Sequence, residues 1–173
     1  MNRQSMADTI RDSDQEREIL LTKEGYEQLK VELEQLLDKR IEIAGDIRES
    51  LEHGEFSEDN PELDEVKQSQ AFVESRIEQL KAVFTHARAI DPSEIPTSEA
   101  GIGSYVTVKD LEYGDQFVVR LVSSIEADPD RDFLSDQSPM GHCLLGAKKG
   151  EDIVFEAPEG EKRFHVVKIS AKP

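Results

Sequence analysis

The stretch Pro61–Ala87, PELDEVKQSQAFVESRIEQLKAVFTHA, decides the fold. Its residues Leu63, Val66, Gln70, Val73, Ile77, Leu80, Phe84 and Ala87 step by 3, 4, 3, 4, 3, 4 and 3 without a slip. That alternation keeps one stripe of a helix apolar and is the seam of a coiled coil. Asn60-Pro61 marks its start, since proline is tolerated at the first helical position. Upstream, Tyr26, Leu29, Leu33, Leu36, Ile43 and Ile47 repeat the alternation, with Arg40 at the one seam position that is not apolar and Leu51 one residue out of phase. Thr22 stands where an N-cap belongs, before Lys23-Glu24-Gly25, and His53-Gly54 suits the far end. Two such helices joined by a short linker meet as an antiparallel hairpin. Roughly 30 residues at about 1.5 Å each make an arm of about 45 Å, far longer than a small globule needs.

Beyond the hairpin, Asp91-Pro92 is expected to break the helix, and the apolar period then changes to two. Tyr105–Val108, Gln116–Val122, Asp152–Phe155 and Arg163–Ile169 read as strands. Ser138-Pro139 opens a short helix through Leu145, closed by Gly146. The fold class is therefore α+β: an antiparallel coiled-coil hairpin followed by a small β domain with one short helix. The expected division is a flexible tail at 1–17, the hairpin at 18–90, a linker at 91–103 and the second domain at 104–173.

Composition agrees with an extended element. Hydrophobic residues are 36% and charged residues 34% of the 173, with no Trp, a poor balance for a single globule. Thirty-eight acids against 21 bases give a net charge of -17. That excludes general nucleic-acid binding, whose affinity comes from cationic side chains displacing counterions. Acidic chains instead suit basic protein surfaces or divalent cations. The single cysteine, Cys143, allows no internal disulfide, and no secretory signal or membrane-length apolar run is present, so a cytoplasmic protein without membrane contact is expected.

Three segments, taken in order, resemble the Gre family of bacterial transcription elongation factors, from about Leu20 to Ser170. Leu21-Thr22-Lys23-Glu24-Gly25-Tyr26-Glu27-Gln28-Leu29 with Glu32-Leu33 is similar to the opening of the family's first helix. Glu52-His53-Gly54-Glu55-Phe56-Ser57-Glu58-Asp59-Asn60 is similar to its acidic tip. Ser138-Pro139-Met140-Gly141, Leu144-Leu145-Gly146 and Lys149-Gly150-Glu151-Asp152 complete the match. The resemblance implies a C-terminal domain with an FKBP-like fold that docks, through Ser138, Pro139 and Met140, on the rim of the secondary channel of bacterial RNA polymerase. It implies a monomer whose arm enters the channel and meets the nascent RNA 3′ end there. It further implies that the factor is not itself an enzyme and carries no cofactor alone: the tip carboxylates share Mg²⁺ with the polymerase, which cuts its own backtracked RNA.

The chemistry fits carboxylates. Two-metal phosphodiester hydrolysis activates a water at one ion and stabilises the leaving oxygen at the other. Mg²⁺ takes hard oxygen ligands and keeps several waters, so one or two carboxylates suffice. Glu55 occupies the position of the family's Asp, Glu58 keeps the spacing of three, and Asp59 stands inserted before Asn60. An alternative alignment makes Asp59 the second acid. The competing account of these acids is a solvated turn, as charge runs usually are. A Gre-like channel binder that modulates or inhibits polymerase without stimulating cleavage is the alternative function.

Other features have ordinary explanations. Most of Lys39, Arg40 and Arg48 are expected to pair within their helix, although they could face RNA, and near-terminal partners or snorkelling would explain Arg40 at its seam position. His53, His86, His142 and His165 show no ligand spacing, and Cys143 is expected to be buried. Leu144 and Leu145 are expected to pack inward. A peptidyl-prolyl isomerase has too few aromatics in this half to build a proline pocket, and a plain coiled-coil adaptor gives no reason for the acid-rich turn or the Ser-Pro segment.

Overall fold

A computed structural model describes residues 18–52 and 61–173, with side chains at 18–49 and 64–173. Strand β1 (Ile19–Thr22) runs directly into helix α1 (Lys23–Glu52), and helix α2 (Pro61–His86) runs directly into strand β2 (Ala87–Ile90). The two helices pack along their length. Leu29, Ile43, Val73, Ile77 and Leu80 are buried, while Tyr26, Leu33, Leu36, Ile47, Val66 and Phe84 are partly buried beside them. The periodicity thus identifies the true contact stripe. Tyr26 and Phe84 lock the base edge to face, with centroids 5.2 Å apart.

Helix α2 stops five residues before Asp91-Pro92, earlier than the sequence implies. The cause is non-local: β1 and β2 pair in parallel, Ile19 opposite Ala87 through Thr22 opposite Ile90. Extended backbone at Ala87–Ile90 satisfies the strand edge that Ile19-Leu20-Leu21 presents, which another helical turn would leave open. Both ends of the hairpin are tied together there.

The C-terminal half is a five-stranded sheet. Its strands are β3 (Tyr105–Asp110), β4 (Gln116–Val122), β5 (Phe133–Ser135), β6 (Asp152–Ala157) and β7 (Gly160–Ser170), in the order β5-β4-β3-β7-β6. All neighbours are antiparallel except β4 and β5. The short β5 has no clear signal in the sequence; three residues are too few to show a period. Helix α3 (Pro139–Leu144) lies over β5 and β6. One core contains Val106, Val108, Val119, Leu144, Ile153, Phe164, Val166 and Ile169. The fold class is α+β, as expected, with a helical hairpin preceding an antiparallel-rich sheet domain.

Candidate functional site

The tip acids Glu55, Glu58 and Asp59, with His53, lie outside the described residues. The structure describes what carries them. At about 1.5 Å per residue, the 30 residues of α1 span about 45 Å. The helix ends that flank residues 53–60 are those far from β1 and β2.

Polar contacts across the arm fix its register. The guanidinium of Arg76 on α2 grips Glu32 on α1 with two bonds, Nε to Oε1 at 2.7 Å and Nη2 to Oε2 at 3.0 Å. Those bonds raise the Arg76 pKa further. Arg40 pairs across the arm with Glu74 of α2 at 3.8 Å, a partner that the sequence alone does not point to. A cation at a seam position faces the partner helix, so the cross-helix carboxylate is the nearer one.

The Ser138-Pro139-Met140 segment is built as a cap. Ser138 Oγ accepts from the Gly141 N–H at 3.0 Å and donates to the Ser135 carbonyl at 2.7 Å. Pro139, exposed, fills the first helical position, and Met140 packs against the core. Gly141 is required: a Cβ there would overlap the Ser135 carbonyl oxygen and come within 2.9 Å of Ser138 Oγ. Gly146 follows α3 at φ +83°, the left-handed conformation that glycine tolerates. Leu144 is fully buried, but Leu145 is 48% exposed, contrary to the expectation that both pack inward. Leu145 caps the helix, with its own N–H bonded to the Gly141 carbonyl, and its side chain falls beyond the face that meets β6. Cys143 is half-buried rather than enclosed, with Sγ 3.5 Å from the Val154 carbonyl.

A second cluster, not foreseen from the sequence, joins the two halves. Thr22 Oγ accepts from the Gly25 N–H at 3.0 Å, the expected N-cap. The carboxylate of Glu126, from the 3-10 turn Ser124–Glu126 after β4, takes the Thr22 N–H at 3.0 Å and also the Thr22 hydroxyl. In return, Glu24 on α1 receives Arg120 of β4 at 3.1 Å and Arg131 at 2.5 Å. Arg120 is buried, 5.1 Å from the ring centroids of Tyr105 and Phe133. The bond from Arg131, then that from Arg120, holds the Glu24 carboxyl below its usual range. Burial pushes Glu126 up, and the bonds from Thr22 only partly offset it. Only Gly25, glycine in a first helical turn, signals this cluster in the sequence.

Among the described residues no group of three or more His, Cys, Asp or Glu could hold a metal ion, and no helix is long and apolar enough to cross a membrane. The described geometry defines a class: a long paired-helix arm joined at its base to a small antiparallel-rich sheet domain. The comparisons then specify it. The profile described as transcription elongation factor, N-terminal, matches residues 19–88, and that described as transcription elongation factor, GreA/GreB, C-term, matches residues 95–171. Transcription elongation factor GreA of Acetivibrio thermocellus is 40% identical over 154 residues, covering 88% of this chain and 96% of that protein. The GreA of Caldanaerobacter subterraneus subsp. tengcongensis is 41% identical over 152 residues, covering 87% and 96%. The crystal structure of GreA factor homolog 1 (Gfh1) of Thermus thermophilus shares 33% identity over 89% of this chain and 99% of that one, with a TM-score of 0.43. The chain belongs to the GreA/GreB family of transcription elongation factors.

Proposed function

We propose that this elongation factor binds bacterial RNA polymerase, passes its arm into the secondary channel, and stimulates the polymerase's own cleavage of backtracked RNA. The observation that carries this reading is the long paired arm, whose base is tied to the sheet domain and whose far helix ends flank Glu55, Glu58 and Asp59. A globular domain has no need of such a spike, whereas delivering charge into a deep channel requires one.

In this reading Ser138, Pro139 and Met140 form the docking edge, and the buried cap beneath them keeps that edge rigid. Glu55 and Glu58 are the acids that act in the polymerase active centre, with Asp59 the alternative second acid. Their hard oxygens suit Mg²⁺ shared with the polymerase, an ion that supplies water activation and leaving-group stabilisation in phosphodiester hydrolysis. The factor works as a single copy in the cytoplasm, holds no cofactor of its own, and completes a site it does not contain. The RNA 3′ end meets it only within that complex.

The test is a stalled, backtracked elongation complex supplied with Mg²⁺, with and without the protein. Short 3′ RNA fragments should be released faster with it, and replacing Glu55 and Glu58 by Ala should abolish release while polymerase binding persists. Binding without any gain in release would defeat the proposal and leave a channel modulator. If both substitutions are silent for an active factor, Asp59 becomes the second acid.

A further inference from the structure

A spike delivers its tip to one place only if its direction is fixed at the base, where the covalent link to the sheet domain is the segment 91–104. Two carboxylates cross the junction in opposite directions. Glu24 reaches from α1 to Arg120 and Arg131 of the sheet domain, while Glu126 reaches from the sheet domain to Thr22 at the start of α1. The two differ in kind. Glu24 is 46% exposed and meets the buried Arg120 and the exposed Arg131, a contact that water and salt weaken on its open side. Glu126 is half-buried and bonds to a backbone N–H, which has no rotamer to choose.

The backbone has been cleared for it. A Cβ on Gly25 would overlap the Glu126 carboxylate and come within 2.8 Å of its Cγ. Gly25 is buried although its own φ needs no glycine, so space, not backbone conformation, explains the residue. Glycine within a helix is otherwise a loss.

We infer that Glu126, seated against Gly25 on the first turn of α1, is the positioning residue that fixes the direction of the arm relative to the sheet domain. Its functional weight rests on the proposed delivery of the tip into polymerase. The geometric claim stands apart from it.

The experiment measures the distance between spin labels in the full-length chain, at Ile41→Cys on the arm and Tyr113→Cys on the sheet domain, both 68% exposed, in a Cys143→Ala background. The reference protein should give one narrow distribution. Gly25→Ala, which evicts the carboxylate without altering it, and Glu126→Ala should each broaden it. The double variant should be no broader than Gly25→Ala alone, because both remove one interaction. Glu126→Gln keeps the length and an acceptor oxygen, and should restore a narrower distribution than Glu126→Ala. Circular dichroism checks that both helices persist. A purely local cap role predicts the opposite for Gly25→Ala, since alanine is the better helix former. A reference-like distribution in either single variant overturns the inference. An inactive factor in the cleavage assay would overturn the proposed function and leave these distances to decide this point on their own.

Discussion

The arm and the sheet domain bury apolar side chains in different amounts. Ten buried residues from four strands, α3 and the flanking loops form one cluster in the sheet domain. The described part of the arm holds two groups of three, Leu21, Leu29 and Leu80 at the base and Ile43, Val73 and Ile77 beyond it, bridged by the partly buried Leu33 and Leu36. A helix satisfies its backbone hydrogen bonds internally, so two of them can run far with a core one layer deep. A strand needs neighbours for the same purpose, which forces the sheet into a compact unit with a thicker core. Reach and compactness thus come from the two backbone bonding patterns, and the outer face of the arm can leave Ile41 and Phe72 mostly exposed without loss.

The largest expected effect falls in the thicker core. Leu144 is fully buried between α3 and the sheet, and Leu144→Ala should cost about 3–5 kcal/mol of sheet-domain stability, read from urea unfolding. In the arm, Ile77 is 1% exposed, yet its surroundings are two helices free to close on the gap. Ile77→Ala should therefore cost less, about 2–3 kcal/mol, with faster amide exchange confined to α1 and α2. A larger loss in the arm than in the sheet would overturn the contrast.

The same contrast explains what the sequence reveals. The seam from Leu63 to Phe84 is legible because the helical period is local, and the structure buries Val73, Ile77 and Leu80 along it. β4 is legible over its full span for a different reason: its seven residues are rich in β-branched and aromatic side chains, although the structure exposes its first three and buries its last four instead of alternating. The parallel pairing of β1 with β2 is not legible, because it joins residues 68 apart with four-residue strands. The Ser138 cap is visible as Ser-Pro before an apolar pair, yet which leucine faces inward depends on where α3 ends. The junction is least legible of all. Glu24, Arg120, Glu126 and Arg131 are ordinary charges in an acidic chain until the fold brings them together.

That junction belongs to neither region, and its pH response separates its contribution from both cores. Glu24 has a carboxyl pKa lowered by Arg131 and Arg120. Its stabilising contribution is present above the unfolded-state carboxylate pKa and is lost as pH falls through the lower folded value. Glu126, raised by burial, has the opposite sign: its ionised form is disfavoured, and protonation on acidification relieves that cost. Glu24→Gln removes the first dependence and relieves the second only slightly, since burial comes first and the Glu24 charge last among the causes that hold Glu126 where it is. The variant should be slightly less stable than the parent at neutral pH, and the gap between their urea midpoints should close as the pH is lowered below the usual carboxylate range. The effect is the smallest of the series because Glu24 is half in water. A gap that stays constant with pH would mean that the bonds from Arg131 and Arg120 do not hold the ionised form of Glu24.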